Sequence, residues 1–516
     1  MGTSTTEHIV EDTLYKKAKE ISVDRPMHPA IEYGERVISY AELVDLVDRC
    51  ALSLRRRGVG VGDRVAFLAA PCPEVTTVLL ACSKIGAIFA GLGPRLSDDE
   101  LSHLLEDSAS TIIFSIERLD GRDFAKAIEE VLGKDEKHRL VRLSDFGAFL
   151  EQDAAQQVIP ADDPEAAVAL IYTSGSTGKP KGVLISNLAI LTSVTNALAR
   201  IDMEDIRALS MLPIDHVAFL ANEVVMALLA GGTAVQLPGF DVERTLEAIE
   251  QKRITLWCAI PTMLQRLASS GRMDEFDLSS LEYVWWPGPL SREAFDAIRC
   301  RAKRLGVSYG MSEAAGGITF SDRDMSAEAL LSGVGKPLPS LEVKLDDPVE
   351  MDGRFVGEIL IRGRQVISEY RGRPDATADS FTEDGWFRTG DLGAFDQEYL
   401  SIVGRKKELI RSGGYNISPY EVESAIEVHG AVAFATIVGV KDEEYGEVVA
   451  AAVSFADGRT ADVEELRAHL RGRLPGYKVP KLISVWSEMP FLANGKVDRS
   501  LVRRQLAEEW KTLAHT

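Results

Sequence analysis

Ile171-Tyr-Thr-Ser-Gly-Ser-Thr-Gly-Lys-Pro-Lys-Gly-Val183 is the stretch from which the rest of this chain can be read. Ser174, Ser176 and Thr177 supply hydroxyls, while Gly175 and Gly178 let the backbone turn tightly and approach a ligand. Amides exposed in such a turn form a concavity that attracts anions, and Lys179 and Lys181 add positive charge. An apolar run over 166–171 leads in and a short one over 183–185 leads out. This predicts a strand, a phosphate-gripping loop, then a second strand or a helix start. A Walker-type loop would need glycine where Thr173 stands and Ser or Thr where Pro180 stands. A flexible Ser/Gly linker fits poorly, because the stretch is held between apolar segments.

At 516 residues the chain exceeds one ordinary domain and can bury sizeable cores. Its 45% hydrophobic and 27% charged residues are those of a soluble globular protein. A net charge of −21 argues against nucleic acid or an anionic membrane as a bulk partner, so a phosphate ligand must be gripped by local charge and amides. Cys50, Cys72, Cys82, Cys258 and Cys300 are odd in number and lack metal-ligand spacing, which suits a reducing cytoplasm. Glu7, Glu11 and Asp12 replace the basic and apolar segments expected of a signal peptide. The apolar run 217–230 is broken by Asn222 and Glu223 and is too short to span a bilayer, so a buried helix is expected there.

Before the loop, helical spacing over 40–57 and 74–90 alternates with strand-like runs over 64–70 and 111–115, the pattern of a parallel α/β sheet. Gly58-Val-Gly-Val-Gly62 is mis-spaced for a dinucleotide turn and reads as a helix-to-strand connection. After the loop, a helix is expected over 188–199 and strands over 233–237, 256–260 and 283–286. From Gly335 short strands, such as 342–345 and 357–361, suggest a β-rich subdomain. The charged strip Gly404-Arg-Lys-Lys-Glu-Leu-Ile410 then precedes a helix over 421–428 and a compact tail. The expected fold is α/β: a large N-terminal domain of helix-flanked sheets with the β-rich subdomain, 1–404, and a small mobile αβ domain, 405–516.

Further stretches carry chemistry. In Tyr309-Gly-Met-Ser-Glu313, Ser312 can donate to phosphate and Glu313 suits a hard cation. In Arg388-Thr-Gly-Asp391 the carboxylate can take two hydroxyl donors. Asn494-Gly-Lys-Val-Asp-Arg499 carries Lys496, which alone would read as an ordinary surface lysine. Together with the phosphate loop these stretches, in this order, resemble the adenylate-forming superfamily over nearly the whole chain. That superfamily comprises acyl-CoA synthetases, firefly-luciferase-like enzymes and peptide-synthetase adenylation domains, and the layout is closest to acyl-CoA or aryl-CoA ligases.

The resemblance implies that Thr173, Ser174, Gly175, Ser176, Thr177, Gly178 and Lys181 hold ATP phosphates, with Gly288 and Gly310 in the nucleotide site. Tyr309 would stack on adenine, Ser312 would bind the α-phosphate, and Glu313 would hold Mg2+. Asp391 and Arg405 would take the ribose, with Asn416 near the α-phosphate. Lys407 falls at the hinge position, Gly413 and Gly414 at the acceptor tunnel, and Lys496 at the catalytic lysine. The implied reaction converts a carboxylic acid and ATP to acyl-AMP and pyrophosphate. The C-terminal domain then rotates to admit an acceptor, most simply the CoA thiol.

One position departs from the pattern. In Pro213-Ile-Asp-His216, Asp215 stands where thioester-forming relatives commonly carry an aromatic or other apolar residue before the histidine. An acid there could assist an amine acceptor, with His216 beside it, or could be a buried acid satisfied within the fold. Amide synthesis is therefore the alternative to thioester formation, ahead of carrier-protein loading or luciferase-like oxygenation. The acyl pocket is expected to be lined by His216, Phe219, Trp257, Trp286, Gly288 and the run 314–317. Its small residues would leave volume and its aromatics would favour a cyclic or aromatic acid.

Overall fold

The computed structural model describes residues 11–133, 135–150, 158–173, 180–288, 290–332, 335–351, 353–456, 458–491 and 497–514. Two sheets form the N-terminal part. Among the described residues one has nine strands, running in order from 336–337 through Gly316–Phe320, Arg304–Met311, Tyr283–Pro287, Leu256–Cys258, Arg207–Ser210, Thr233–Gln236 and Pro29–Tyr33 to Arg36–Ser39. Its interior pairings are parallel and its edges antiparallel. The other has Lys181–Ser186, Ala167–Thr173, Ile88–Leu92, Arg64–Leu68, Ile112–Ser115 and Leu140–Arg142, parallel except for its first pair. The alternation of strands with helices that the sequence predicts is thus present, and parallel strands covered on both faces explain their nearly unbroken apolar runs.

Alternate residues of the smaller sheet serve two cores. Val65, Phe67 and Phe89 join the main core, whereas Ala66, Leu68, Ile88 and Ala90 pack under Leu101, Leu104, Leu105 and Phe124 from its outer helices. The helix expected over 74–90 is shorter: it spans Pro73–Ile85, stops at Gly86 in the left-handed conformation (φ 71°), and gives way to Ile88–Leu92. The apolar run had concealed a strand because both elements are wholly buried. Gly58 and Gly62, with φ 85° and 77°, do make the helix-to-strand connection. The run 217–230 is also more irregular than a plain helix, winding as a π-helix over Phe219–Val225 and then as Met226–Leu229.

The β-rich subdomain is a four-stranded antiparallel sheet, Glu342–Met351, Arg354–Arg362, Phe387–Asp396 and Tyr399–Arg405. Beyond it a separate sheet carries Val432–Asp442 and Gly446–Phe455. Ile437 and Ala451 face helices Pro419–Glu427 and Val463–Arg471, while Val438, Val440 and Ala450 face the final helix, Arg499–Ala514. No helix among the described residues is long and apolar enough to cross a membrane.

Candidate active site

The strands flanking residues 174–179, Ala167–Thr173 and Lys181–Ser186, pair antiparallel, with Thr173 opposite Lys181. Ser174, Gly175, Ser176, Thr177 and Gly178 lie outside the described residues. The emerging strand is docked from an unexpected quarter: Val183 bridges to Tyr370, and the Arg371 N–H donates to the Gly182 carbonyl at 2.8 Å. Lys181 Nζ lies 5.2 Å from the centre of the Tyr370 ring, within reach of its electron-rich face.

Tyr309 to Glu313 lie on a second hairpin, built from Arg304–Met311 and Gly316–Phe320 with a single 3-10 turn between them. The hairpin is pinched at Gly310, where an added Cβ would stand 2.2 Å from the Gly316 carbonyl oxygen. Fully buried Gln365 clamps the turn, donating to the carbonyls of Ala314 (2.9 Å) and Gly317 (2.7 Å) while accepting from the Ser340 hydroxyl. Ser312 and Glu313 are consequently held side by side, both buried.

The Glu313 carboxylate accepts from the Tyr370 hydroxyl at 2.9 Å. Burial raises its pKa, opposed by that hydrogen bond. It has one oxygen tied and no direct ion pair among the described residues, where no cluster of three or more acidic, His or Cys side chains forms a metal cage either. A divalent cation taken up with nucleotide phosphates fits such a lone carboxylate, because Mg2+ is usually held by one or two acids plus phosphates and water.

Asp391 is only 5% exposed, and both its oxygens are engaged. Tyr309 donates its hydroxyl to Oδ2 at 2.6 Å, and Arg405 Nε stands 3.0 Å from Oδ1. Burial pushes the Asp391 pKa up and Arg405 opposes it. Each carboxylate oxygen keeps a further lone-pair site, so Asp391 is an aimed acceptor. Next along the chain, Lys406 donates to Glu358 at 2.8 Å, whereas Glu408 faces Arg499 at 3.8 Å. Burial lowers the pKa of Lys407 between them.

Asp215 is seated by two glycines the sequence reading passed over. An added Cβ on Gly91 would stand 2.2 Å from the Ile214 carbonyl oxygen, and one on Gly93 would stand 2.7 Å from Asp215 Oδ2. Oδ1 is buried without a hydrogen-bond partner in the described structure. Burial raises the Asp215 pKa, opposed by its own amide and that of Gly93. Behind this turn, fully buried Glu223 accepts from the Leu212 N–H and the Ser210 hydroxyl, each at 3.1 Å, and burial lifts its pKa to about 8.

A family model described as AMP-binding enzyme matches residues 19–371, and one described as AMP-binding enzyme C-terminal domain matches 421–496. The chain belongs to the AMP-binding enzymes. A feruloyl-CoA synthase from Amycolatopsis is 38% identical over 93% of this chain and 96% of its own. An indoleacetate–CoA ligase from Aromatoleum aromaticum is 36% identical over 94% and 96%. Among solved structures, the amide bond synthetase McbA from Marinactinospora thermotolerans superposes with a TM-score of 0.84 at 29% identity, over 96% of this chain and 99% of that one. This AMP-binding enzyme is an ATP-dependent ligase that activates a carboxylic acid as its acyl-AMP, with ATP and Mg2+.

Some residues expected to line the acyl pocket are closely packed in the structure. Trp257, Trp286 and Phe219 are wholly buried, and Trp286 packs edge-on against Phe295 with centroids 6.0 Å apart, so these rings complete the core and do not face an open pocket. The small run 314–317 does not leave volume either. A Cβ on Gly316 would meet Ser193 and Ala221 at 3.2 and 3.3 Å, and one on Gly317 would meet the Phe320 ring at 2.3 Å. The missing side chains are used for close packing. Gly288 adopts φ 80° with open space around it. Gly413 and Gly414 form the exposed turn of a C-terminal hairpin in which Asn416 pairs with Arg411. Lys496 lies outside the described residues.

Tyr370 and Gln365 were missed altogether, since no local pattern separates them from ordinary core and turn residues, and Glu223 was noted only as a break in the apolar run 217–230. Gly91 and Gly93 did leave a signal: two glycines at a strand end mark a close backbone approach.

Proposed function

We propose that this AMP-binding enzyme joins an aryl carboxylic acid to the thiol of CoA. One observation carries the reading. An unbroken run of contacts leads from Lys181 through Tyr370 to Glu313, and the same hairpin continues through Tyr309 to Asp391 and Arg405. A cation, an acid suited to a metal and an aimed carboxylate thereby stand together. The aryl acid and the thiol acceptor are supported by the likeness to feruloyl-CoA synthase and indoleacetate–CoA ligase.

In this reading residues 173–178 and Lys181 grip the phosphates, and Ser312 donates to the α-phosphate. Asp391 accepts from the ribose hydroxyls, with Arg405 aligning it and Tyr309 against the adenine. Glu313 would hold Mg2+, which when bound offsets charge on the phosphates. The acid's carboxylate oxygen attacks the α-phosphorus and the bond to pyrophosphate breaks, with Lys496 bringing positive charge to the departing group. The thiol then adds to the acyl carbon, the bond to AMP breaks and the thiol proton leaves. We place the hinge between 405–406 and 408. Arg405 and Lys406 pair with Asp391 and Glu358 on one side of Lys407, and Glu408 faces Arg499 on the other. These pairs favour a boundary at Lys407, two residues beyond the expected start at 405, with the C-terminal domain presenting Asn416 in one orientation and Gly413 and Gly414 in the other. The five free cysteines suit the cytoplasm.

With Mg2+ and an accepted acid, the enzyme should exchange labelled pyrophosphate into ATP without CoA, and with CoA should release AMP. Mass spectrometry over a panel of aryl and alkyl acids reads out substrate class and product. Release of ADP instead of AMP overturns the reading.

Asp215 favours a second reading, in which an amine is the acceptor. Its unpartnered, buried Oδ1 could take the proton that an attacking amine must lose, and the superposition with an amide bond synthetase supports considering it. Asp215→Asn keeps the shape and removes the basicity. Amide formation should then fall by about 10²-fold, the scale of general-base loss, with pyrophosphate exchange little changed. Equal loss in both would make Asp215 a structural acid, and efficient thioester formation with no amide at high amine concentration ends the amine reading.

A further inference from the structure

We propose that Tyr370 is a positioning residue that sets the metal-holding carboxylate and the phosphate-loop cation in one register. The inference rests on reading Glu313 as the Mg2+ ligand and Lys181 as a phosphate contact. Three independent contacts converge on this one side chain and its backbone. The hydroxyl donates to Glu313 Oε1 at 2.9 Å, leaving Oε2 for a cation. The ring face lies 5.2 Å from Lys181 Nζ. The backbone bridges Val183, and the next residue's N–H binds the Gly182 carbonyl, so the strand leaving the phosphate loop is fixed to the same point.

Tyr370 is itself immobilised. It is 7% exposed, and its N–H donates to Thr377 Oγ1 at 3.0 Å on the following helix, Pro374–Ser380. Lys181 opens a strand of the smaller sheet and Glu313 sits on a turn of the larger one, and Tyr370 contacts both. Without Tyr370 each would keep its own rotamer freedom, and the distance between metal and cation would no longer be set before ATP arrives.

The hydroxyl and the ring can be separated. Tyr370→Phe removes the donor to Glu313 and keeps the ring beneath Lys181, while Tyr370→Leu removes both. The binding readout is Mn2+ affinity by electron paramagnetic resonance with enzyme and ATP, in the absence of any acid. The kinetic readouts are the Mg2+ dependence of pyrophosphate exchange and acyl transfer from supplied acyl-AMP.

Tyr370→Phe should weaken Mn2+ binding and raise the half-saturating Mg2+ concentration by about tenfold, the lower end for a hydrogen bond to a charged group. Exchange at saturating Mg2+ and the ATP KM should stay within about twofold. Tyr370→Leu should add a several-fold rise in ATP KM, and both variants should transfer from acyl-AMP as the wild type does. Glu313→Gln is the reference. If it weakens Mn2+ binding and Tyr370→Phe does not, the role of Tyr370 is overturned while the metal reading stands. If Glu313→Gln leaves Mn2+ binding unchanged, the metal reading itself fails. A general loss of both half-reactions in Tyr370→Phe would also overturn the inference, since a merely structural tyrosine would act that way.

Discussion

Lys496→Ala should slow pyrophosphate exchange by about 10²-fold or more, the scale for removing a group that meets developing charge, while acyl transfer from supplied acyl-AMP stays near the wild-type rate. The split is expected because the described residues on either side of position 496 are tied to the C-terminal sheet and helices. Phe491 bridges to Val497 on either side of it. Arg499, three residues on, donates to Glu423 at 2.7 Å and to the Ile437 carbonyl at 2.9 Å, and reaches Glu408 at 3.8 Å. Flanks held this way lie next to the strip proposed as the hinge. On the proposed alternation a lysine between them would serve one half-reaction and be absent from the other. The two rates, measured separately on the same preparation, decide the matter. Equal losses in both would mean that the lysine acts on shared structure and that the domain does not alternate.

Gly310→Ala should be comparably damaging for a steric reason. The added methyl would fall 2.2 Å from the Gly316 carbonyl oxygen and 2.8 Å from its carbon, and backbone on the paired strand cannot step aside as a flexible side chain can. The hairpin must open, and Ser312 and Glu313 ride on its turn. Overpacking of this kind costs roughly 1–3 kcal/mol or more, so the melting temperature should fall. A displacement near 1 Å at a reacting site costs about 10²-fold in rate, so pyrophosphate exchange should fall by that order even in the folded fraction. Gly239→Ala serves as the control, because a Cβ there meets nothing within 4 Å. Wild-type exchange by Gly310→Ala would show that the pinch does not position the turn.

How far the chain could be read in advance depended on the range over which each feature is set. The phosphate hairpin, the Tyr309-Gly310 turn and the Arg388–Asp391 string each combine backbone freedom with the right functional groups within a few residues. The strand and helix alternation was likewise written in local periodicity. It failed where two fully buried elements adjoin, at Pro73–Ile85 and Ile88–Leu92, because burial on all sides erases the polar face that distinguishes period 3.6 from period 2.

Partnerships were a different matter. Tyr370 meets Glu313 across 57 residues of chain, and Tyr309 meets Asp391 across 82. Gly91 and Gly93 make room for the turn that carries Asp215, although they lie in and just after a strand of the other sheet. Expectations for the acyl pocket met the same limit. A sequence tells which residues are small or aromatic, but only the packed neighbours decide whether a missing side chain leaves a cavity, as the 314–317 run first suggested, or admits a close contact, as Gly316 and Gly317 do. Residue chemistry and local backbone freedom are encoded within single segments. Which segments touch is decided by the global packing of the apolar faces, and it is that packing which aims Asp391 and leaves Asp215 Oδ1 without a partner.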